Sequence, residues 1–500
     1  MSRTGLDRLC DTETVTDARQ SEPRLGARQF ALTAAELAAA TGGRILHLSG
    51  RPIRGGAVDS RQVEPGNLFV ALAGERTDGH RFLADAVAAG AAALLVADSA
   101  GAVGARDDAL AAAVAAAAGR GGVSVVAVPD TLLGLHAAAT EWRSRFSPFV
   151  VGVTGSIAKT STKEAIAAVL SERFVTLKSE GNANNEIGLP LTVLRLATEH
   201  EAAVLEMGMY VGGEVAQLAA IARPRVGVVT SVREVHLSRI GSIEAVERAK
   251  GELVEALPPD GVAILNADDP RVVRMRDRTS ARTLTYGFAP EADVRAEDVV
   301  AAGFDGMRFR LVAPQGRAVA STPALGRHGV HNGLAAAAVG LAAGMDLDLV
   351  VAGLGRGWRA PHRDQIVRAG AYTILDDSYN ASPTSMIAAL ELLATLPGRH
   401  VAVLGEMREL GEAHERGHRE VGAAAASLAD MVVVVGDEAI GIAAGAASLG
   451  EAVVAVQDRD AALSALRDRL RPGDAVLVKA SRGAELELLV ESLVGDLGGG

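Results

Sequence analysis

Short apolar runs recur through residues 149–481, each ending in a small or polar turn and followed by a stretch of helical periodicity. They are FVVGVT (149–154), AVLEM (203–207), VGVVTSV (226–232), YTILDDS (372–378), HVAVLGEM (400–407), MVVVVGD (431–437) and DAVLVKAS (474–481). Strands wet on one face would alternate apolar and polar residues; runs apolar throughout fit parallel strands buried on both faces and joined by crossover helices. The expected class is therefore α/β with mostly parallel sheets. One segment breaks the rhythm: in FDGMRFRLV (304–312), Met307, Phe309 and Leu311 alternate with Arg308 and Arg310, the period of a half-exposed antiparallel ribbon.

A chain of 500 residues, 49% of them hydrophobic, can bury several cores, and its length suggests roughly three to four domains. Residues 1–30 are polar and aperiodic and read as a mobile tail. A first region covers 31–145, opening with a helix in LTAAELAAA closed by Gly42-Gly43 and continuing through a Pro65-Gly66 turn into a strand. A central region covers 146–358, with a helix at 163–172, and a third, doubly wound and Rossmann-like, covers 359–500. The glycine-rich AGLGRGWRA (352–360) is the expected hinge between the last two. Ala-rich stretches at 83–97 and 109–118 fall short of the about 20 apolar residues that span a bilayer and read as core helices.

Charge and cysteine usage narrow the function. A formal charge of -11 disfavours nucleic acid as a partner but leaves room for a local basic pocket holding one small anion. The single cysteine, Cys10, and an opening without a basic and then apolar leader fit a cytoplasmic protein. Oligomeric state is open in the sequence, with a monomer the simplest expectation.

The stretch GVTGSIAKTS (152–161) carries the chemistry. A strand, a glycine turn, Lys159-Thr160 and then a helix place backbone N–H groups and a helix N-terminus on one anion, with lysine to neutralise phosphate and threonine to meet Mg²⁺. The pattern G-x-x-x-x-G-K-[ST] demands glycine at 153 and 158, where this chain has Val153 and Ala158, so a phosphate site and a surface turn fit about equally. The shorter T-G-x-x-G-K-T agrees better, at Thr154, Gly155, Lys159 and Thr160. Should residue 158 need a positive φ, alanine costs about 1 kcal/mol or more and its methyl would also crowd the phosphates, so Ala158→Gly should tighten ATP binding.

That shorter loop, with the segments around it, resembles the Mur ligases, cytoplasmic enzymes that add amino acids to the peptidoglycan precursor. The matching segments cover roughly residues 31–495: DSRQVEPGNLFVALAGERTDGHRF (59–82), SEGNANNEIGLPLTVL (179–194), AVLEMGM (203–209), IGSIEAVERAKGEL (240–253) and GVAILNADDP (261–270), then DDSYNASPTSMIAAL (376–390), AVLGEMRELG (402–411) and VLVKASRGAELE (476–487). The resemblance implies a three-domain Mur ligase architecture: an N-terminal UDP-substrate domain, a central P-loop-type ATP-binding domain and a C-terminal Rossmann-like domain. Within the family, DDSYNASP resembles the branch that adds D-alanyl-D-alanine to UDP-N-acetylmuramoyl-tripeptide, whereas branches adding the third residue carry a DYAHTP-like sequence there. The implied reaction is ATP-dependent amide formation through an acyl phosphate, with the ligands bound in the order ATP, tripeptide, dipeptide.

The resemblance also assigns residues. Thr154, Gly155, Ser156, Ala158, Lys159, Thr160 and Ser161 would hold ATP phosphates, with Asn332 on adenine, Asp377 on ribose and Arg363 toward the γ-phosphate. Thr160, Glu206, His236 and Lys250 would serve two Mg²⁺ ions, Lys250 in carbamoylated form, and Lys159, Lys250, His236 and Arg363 form the catalytic set. Ser60, Arg61, Asp78, His80, Asn184 and Asn185 fall to the UDP-linked substrate, while Asn380, Ala381 and Ser382 would receive the dipeptide. Without the resemblance, Glu206 still reads as a Mg²⁺ ligand because a phosphate loop lies beside it, though a lone strand-end glutamate is more often solvated. The others read more plainly: His236 as a capping or surface histidine, Lys250 as an exposed helix lysine paired with Glu247 or Glu244, Asn332 as a cap, Asp377 as a turn former and Arg363 as a surface ion pair. The chain departs from the family pattern at Ala158, Tyr210, Arg233, Gly329 and His362. Those departures motivate an alternative, a catalytically weak paralogue acting as precursor sensor or scaffold; the central region alone would also fit a generic P-loop ATPase or kinase.

Overall fold

The computed structural model of the chain describes residues 30–74, 77–98, 122–233 and 240–498. The tail expected over 1–30 (apart from Phe30), the Ala-rich stretch 109–118 and His236 lie outside the described residues. Three sheets organise the rest. The first contains β1 (Arg44–His47), β2 (Gly56–Ala57), β3 (Leu68–Val70), β4 (Ala93–Ala97) and β5 (Ser124–Val128) in the order β1-β5-β4-β3-β2, parallel except where β1 runs against β5. The opening helix is Ala34–Thr41, started by a Thr33–Glu36 capping box and stopped at Gly42 in the left-handed region. The stretch 83–97, read as a core helix, is instead a short helix (Leu83–Ala88) followed by β4. ALLVA is buried between β3 and β5, and an apolar run this short has no periodicity by which to tell strand from helix.

The central sheet has nine strands: β6 (Phe149–Thr154), β7 (Thr176–Lys178), β8 (Ala202–Glu206), β9 (Val226–Val229), β10 (Val262–Asn266), β11 (Arg282–Gly287), β12 (Val294–Ala301), β13 (Met307–Ala313) and β14 (Gly316–Thr322). Their order is β14-β13-β12-β11-β10-β9-β6-β8-β7. Strands β7 to β12 pair in parallel, while β12, β13 and β14 form the antiparallel ribbon expected from the FDGMRFRLV alternation, with Met307, Phe309 and Leu311 buried and Arg308 and Arg310 exposed. Because β6 lies between β8 and β9, the chain switches sides of the sheet there. Ligands of open α/β sheets sit beyond the carboxyl ends of strands at such a switch.

The third sheet runs β15-β16-β20-β17-β18-β19, with β15 (Gln365–Ala369), β16 (Tyr372–Asp376), β17 (His400–Gly405), β18 (Met431–Val435), β19 (Val453–Val456) and β20 (Ala475–Lys479). Only β15 is antiparallel. Here β20, the last strand in sequence, sits between β16 and β17, so the loops after these three share one edge.

Helix Thr131–Arg143 joins the first sheet to the second. Its Trp142 Nε1 donates to Leu196 O (3.0 Å), Arg143 Nε donates to Ala222 O (2.7 Å), and Leu135 and Trp142 share one buried cluster with Val150 and Leu205. The third sheet has apolar clusters of its own on its two faces. Two further expectations change. The central helix starts at Lys159 and ends at Leu170, directly on the glycine loop, and the segment read as a hinge is helical through Arg356, so the chain leaves regular structure only at Gly357.

Candidate active site

Strand β6 delivers the loop against its neighbours. Thr154 Oγ1 donates to Met207 O (2.8 Å), fastening the end of β6 to the end of β8. At Gly155 any Cβ would collide with Thr230 Oγ1, so only glycine lets the chain turn against β9. Thr230 Oγ1 donates to Ile157 O (2.6 Å), and Ser156 Oγ accepts from Arg233 N (2.8 Å). Ala158 then takes φ 64°, ψ 5°, and Lys159 opens the helix, whose first-turn N–H groups lack intrahelical partners and face anions favourably. Lys159 Nζ arches back to donate to Gly155 O (2.9 Å). Burial lowers the pKa of Lys159, with Glu206 opposing that shift and Arg363 adding to it.

Facing this loop is a carboxylate short of partners. Glu206, at the end of β8, is 1% exposed; its Oε1 accepts from Asn184 Nδ2 (2.7 Å), while Oε2 accepts no hydrogen bond among the described residues. Its nearest cation is Lys163 Nζ at 3.9 Å, held in turn by Ser179 O (2.7 Å) and Glu164 (3.1 Å). A buried anionic oxygen without a donor is costly unless a cation completes it, and a carboxylate beside a threonine hydroxyl is a hard-oxygen set that suits Mg²⁺. Among the described residues no group of three acidic, histidine or cysteine side chains is placed to hold a metal ion. Lys250, on helix Ile243–Glu255, is 2% exposed, not the surface lysine its sequence context suggests. Burial, helped by the charge of Lys159, depresses its pKa well below the ordinary lysine value.

The opposite wall comes from the third region. Asp377, after β16, is 2.5 Å from Lys479 Nζ, which also donates to Asn380 O (2.9 Å). Burial raises the Asp377 pKa to about 6 against the pull of Lys479, with Asp364 pushing the same way as burial. His328, on helix Gly326–Ala342, approaches Asp364 at 3.1 Å and so bridges the central and third regions. Arg363 and Arg482 both pack on the Tyr379 ring, their guanidinium carbons 4.2 and 4.8 Å from its centroid. Between the two walls lies a cleft of about 600 Å³.

Most of the singled-out residues meet there. From the central region come Ser156, Ala158 through Ser161, Asn184 and Asn185, with Glu206, Lys250 and Asn332 deeper in; the third region adds Arg363, Asp377, Asn380, Ala381 and Ser382. Thr154 and Gly155 lie behind the loop and brace it. Asn184 Nδ2 donates to Glu206, and Asn185 Oδ1 accepts from Gly188 N (2.9 Å) at the start of helix Gly188–Leu194, while both residues line the cleft. Asn332 Oδ1 accepts from Thr162 Oγ1 (3.1 Å).

Four expected substrate residues do not line the cleft. Arg61 folds onto Asp59 (2.6 Å), with Ser60 in the same tight turn. Buried His80 bonds Asp78 through Nδ1 (2.6 Å) and accepts Ala97 N–H at Nε2 (2.9 Å), so both ring nitrogens serve the first sheet. His328, Asp364, Tyr379, Arg408, Lys479 and Arg482 line the cleft without having been singled out individually, although VLVKASRG already contains two of them.

The chain is similar to known proteins along most of its length. Profiles for the Mur ligase middle domain, the glutamate ligase domain of Mur ligases and the Mur ligase catalytic domain match residues 153–340, 362–482 and 52–139. A protein of Mycobacterium tuberculosis is 38% identical over 93% of this chain and 98% of its own length, and one of Escherichia coli is 37% identical over 87% and 92%. Both are named UDP-N-acetylmuramoyl-tripeptide--D-alanyl-D-alanine ligase. Among solved structures, MurF from Acinetobacter baumannii superposes with a TM-score of 0.82 at 30% identity, covering 94% of this chain and all of that one. MurF from Thermotoga maritima in complex with ADP gives 0.76 at 29% identity, covering 89% and 98%.

Proposed function

This chain belongs to the Mur ligase family, and from that premise we propose that it joins D-alanyl-D-alanine to UDP-N-acetylmuramoyl-tripeptide with ATP as the driving substrate. The observation that supports this reading most is the make-up of the two cleft walls: the phosphate loop, Glu206 and Lys250 on the central side, Arg363, Asp377 and the 380–382 turn on the other. We read the domains as 31–145 for the UDP-linked substrate, 146–358 for ATP and 359–500 for the dipeptide. Since groups from the last two flank one cleft, their closure is part of the cycle.

A carboxylate does not acylate an amine at neutral pH until its oxygen is made a leaving group. The terminal carboxylate oxygen of the tripeptide attacks the γ-phosphorus, the bond to the ADP oxygen breaks, and an acyl phosphate forms. The free amine of the dipeptide then attacks the acyl carbon, a proton is lost from nitrogen, and the C–O bond to phosphate breaks to leave the amide. Lys159 and the first-turn N–H groups after Ala158 hold the phosphate oxygens as charge develops on them, while Arg363 meets them from the opposite wall. Asp377 accepts from the ribose hydroxyls and Asn332 lies toward the base. Mg²⁺, when bound, would neutralise the phosphate oxygens, with Thr160 and Glu206 as its protein ligands and a carbamoylated Lys250 serving a second ion. Burial and the charge of Lys159 keep Lys250 in the neutral form that adds CO₂, and the product anion would be attracted by Lys159.

Three of the positions that motivate a non-catalytic scaffold have defined places in the fold. Ala158 adopts the left-handed turn, Arg233 pairs with Asp269 (2.8 Å), and Gly329 packs where a Cβ would lie 2.9 Å from Ala324 Cβ. No helix of the described residues is long and apolar enough to cross a membrane, and the expected place of action is the cytoplasm, where ATP and UDP-linked precursors are found. The test is purified protein with ATP, Mg²⁺, UDP-muramoyl-tripeptide and D-Ala-D-Ala, followed by mass spectrometry. A nucleotide-linked pentapeptide is expected, to be lost in Lys159→Ala; its absence from wild type at saturating substrates would overturn the reading.

A further inference from the structure

The acceptor dipeptide carries a carboxylate at the end away from its reacting amine, and this anion needs a cation on the third-region wall. Three cations line that part of the cleft besides Arg363: Lys479, Arg408 and Arg482. Lys479 is buried and committed to Asp377 at 2.5 Å. Arg408 is already neutralised, its Nε donating to Glu406 Oε2 (2.8 Å), and its guanidinium lies against Gly483, where a Cβ would collide with it. Arg482 is different: no carboxylate lies within ion-pair distance among the described residues, its side chain is exposed, and its guanidinium is pinned against the Tyr379 ring.

Resting on the ligase reading, we propose that Arg482 binds the terminal carboxylate of the acceptor dipeptide and that Tyr379 is the platform that positions it. The span supports this. Arg363 packs on the same ring, so the two guanidinium carbons lie within about 9 Å of each other, and an extended dipeptide measures roughly 7 Å. An acceptor with its carboxylate on Arg482 is therefore long enough for its amine to approach Arg363, the group that meets the phosphate. The same cleft is lined by Ala381, Ala388 and Ala389, small apolar groups that suit two methyl side chains. A guanidinium held over an aromatic ring is less free than one in solvent, so a two-pronged carboxylate contact costs it less entropy.

The experiment compares D-alanyl-D-alanine with D-alanyl-D-alaninamide, which lacks the anion, in wild type, Arg482→Gln and Arg408→Gln. Wild type is expected to use the amide about 10- to 100-fold less well in kcat/KM, the weight of one charge-assisted contact. Arg482→Gln should lose a similar factor for the dipeptide, through KM, and treat the two acceptors alike. Its KM for ATP should stay within about twofold of wild type, which also shows that the variant folds. Arg408→Gln should keep the discrimination. Discrimination surviving in Arg482→Gln, erased by Arg408→Gln, or missing from wild type would each overturn the assignment. Failure of wild type to ligate the dipeptide at all would be a failure of the ligase reading and would take the assignment with it.

Discussion

Ala158→Gly isolates the most unusual backbone feature of the phosphate loop. Ala158 sits at φ 64°, ψ 5°, directly before the helix that faces phosphate. An L-residue in this region carries strain of about 1–2 kcal/mol, and glycine removes it but adds about 0.5–1 kcal/mol of unfolded-state entropy. The net expectation is a stabilisation of about 0.5–1 kcal/mol, a rise of about 1–4 °C in the melting temperature of a unit the size of the central region. Strain of this kind is the same with and without nucleotide, so it moves melting temperature and leaves affinity alone; tighter ATP binding would come only from removing the methyl beside the phosphates. Calorimetry of the nucleotide-free protein and titration with a non-hydrolysable ATP analogue read the two effects separately. Ala158→Val should destabilise, because a β-branched residue is a true outlier at this φ. A melting temperature unchanged or lowered by glycine would refute the strain argument and show that the loop fully accommodates alanine.

Two other perturbations follow from the buried charges. Lys250→Met should abolish turnover yet, in CO₂-free buffer, leave the protein at least as stable near neutral pH; because the folded lysine pKa is depressed, the stability of wild type should rise relative to this variant as pH climbs toward 10.5, measured by denaturant unfolding. A pH-independent difference would mean that Lys250 is charged and solvated. Asp377, raised to about 6, should lose its ability to accept from ribose as it protonates, so KM for ATP should increase as pH falls through about 6, and Asp377→Asn should flatten that limb. An unaltered limb in the variant would assign it to another group.

The strand rhythm was legible because parallel strands buried on both faces leave uninterrupted apolar runs, and the ribbon at 307–322 because Arg308 and Arg310 mark its wet face. ALLVA was not, since five apolar residues carry no period. The loop was legible as chemistry but not as geometry: glycine is usual at 158 and at 362, and the structure places both Ala158 and His362 at positive φ, His362 held there by a 2.8 Å contact with Asp376. Sequence also cannot distinguish a polar side chain aimed at substrate from one aimed at a neighbour. Asn184 turned out to hold Glu206, and His80 to brace the first sheet. The third-region cations stayed hidden for the opposite reason: Arg482 and Tyr379 are 103 positions apart in the chain and meet only because β20 inserts beside β16.

The central claim is that the two walls of one cleft activate a carboxylate by phosphorylation before an amine displaces the phosphate. UDP-muramoyl-tripeptide labelled with ¹⁸O in its terminal carboxylate, turned over with ATP and D-Ala-D-Ala, reports on it directly. One labelled oxygen should appear in the inorganic phosphate for each amide formed. Phosphate free of label, with pentapeptide still accumulating, would contradict the acyl-phosphate route.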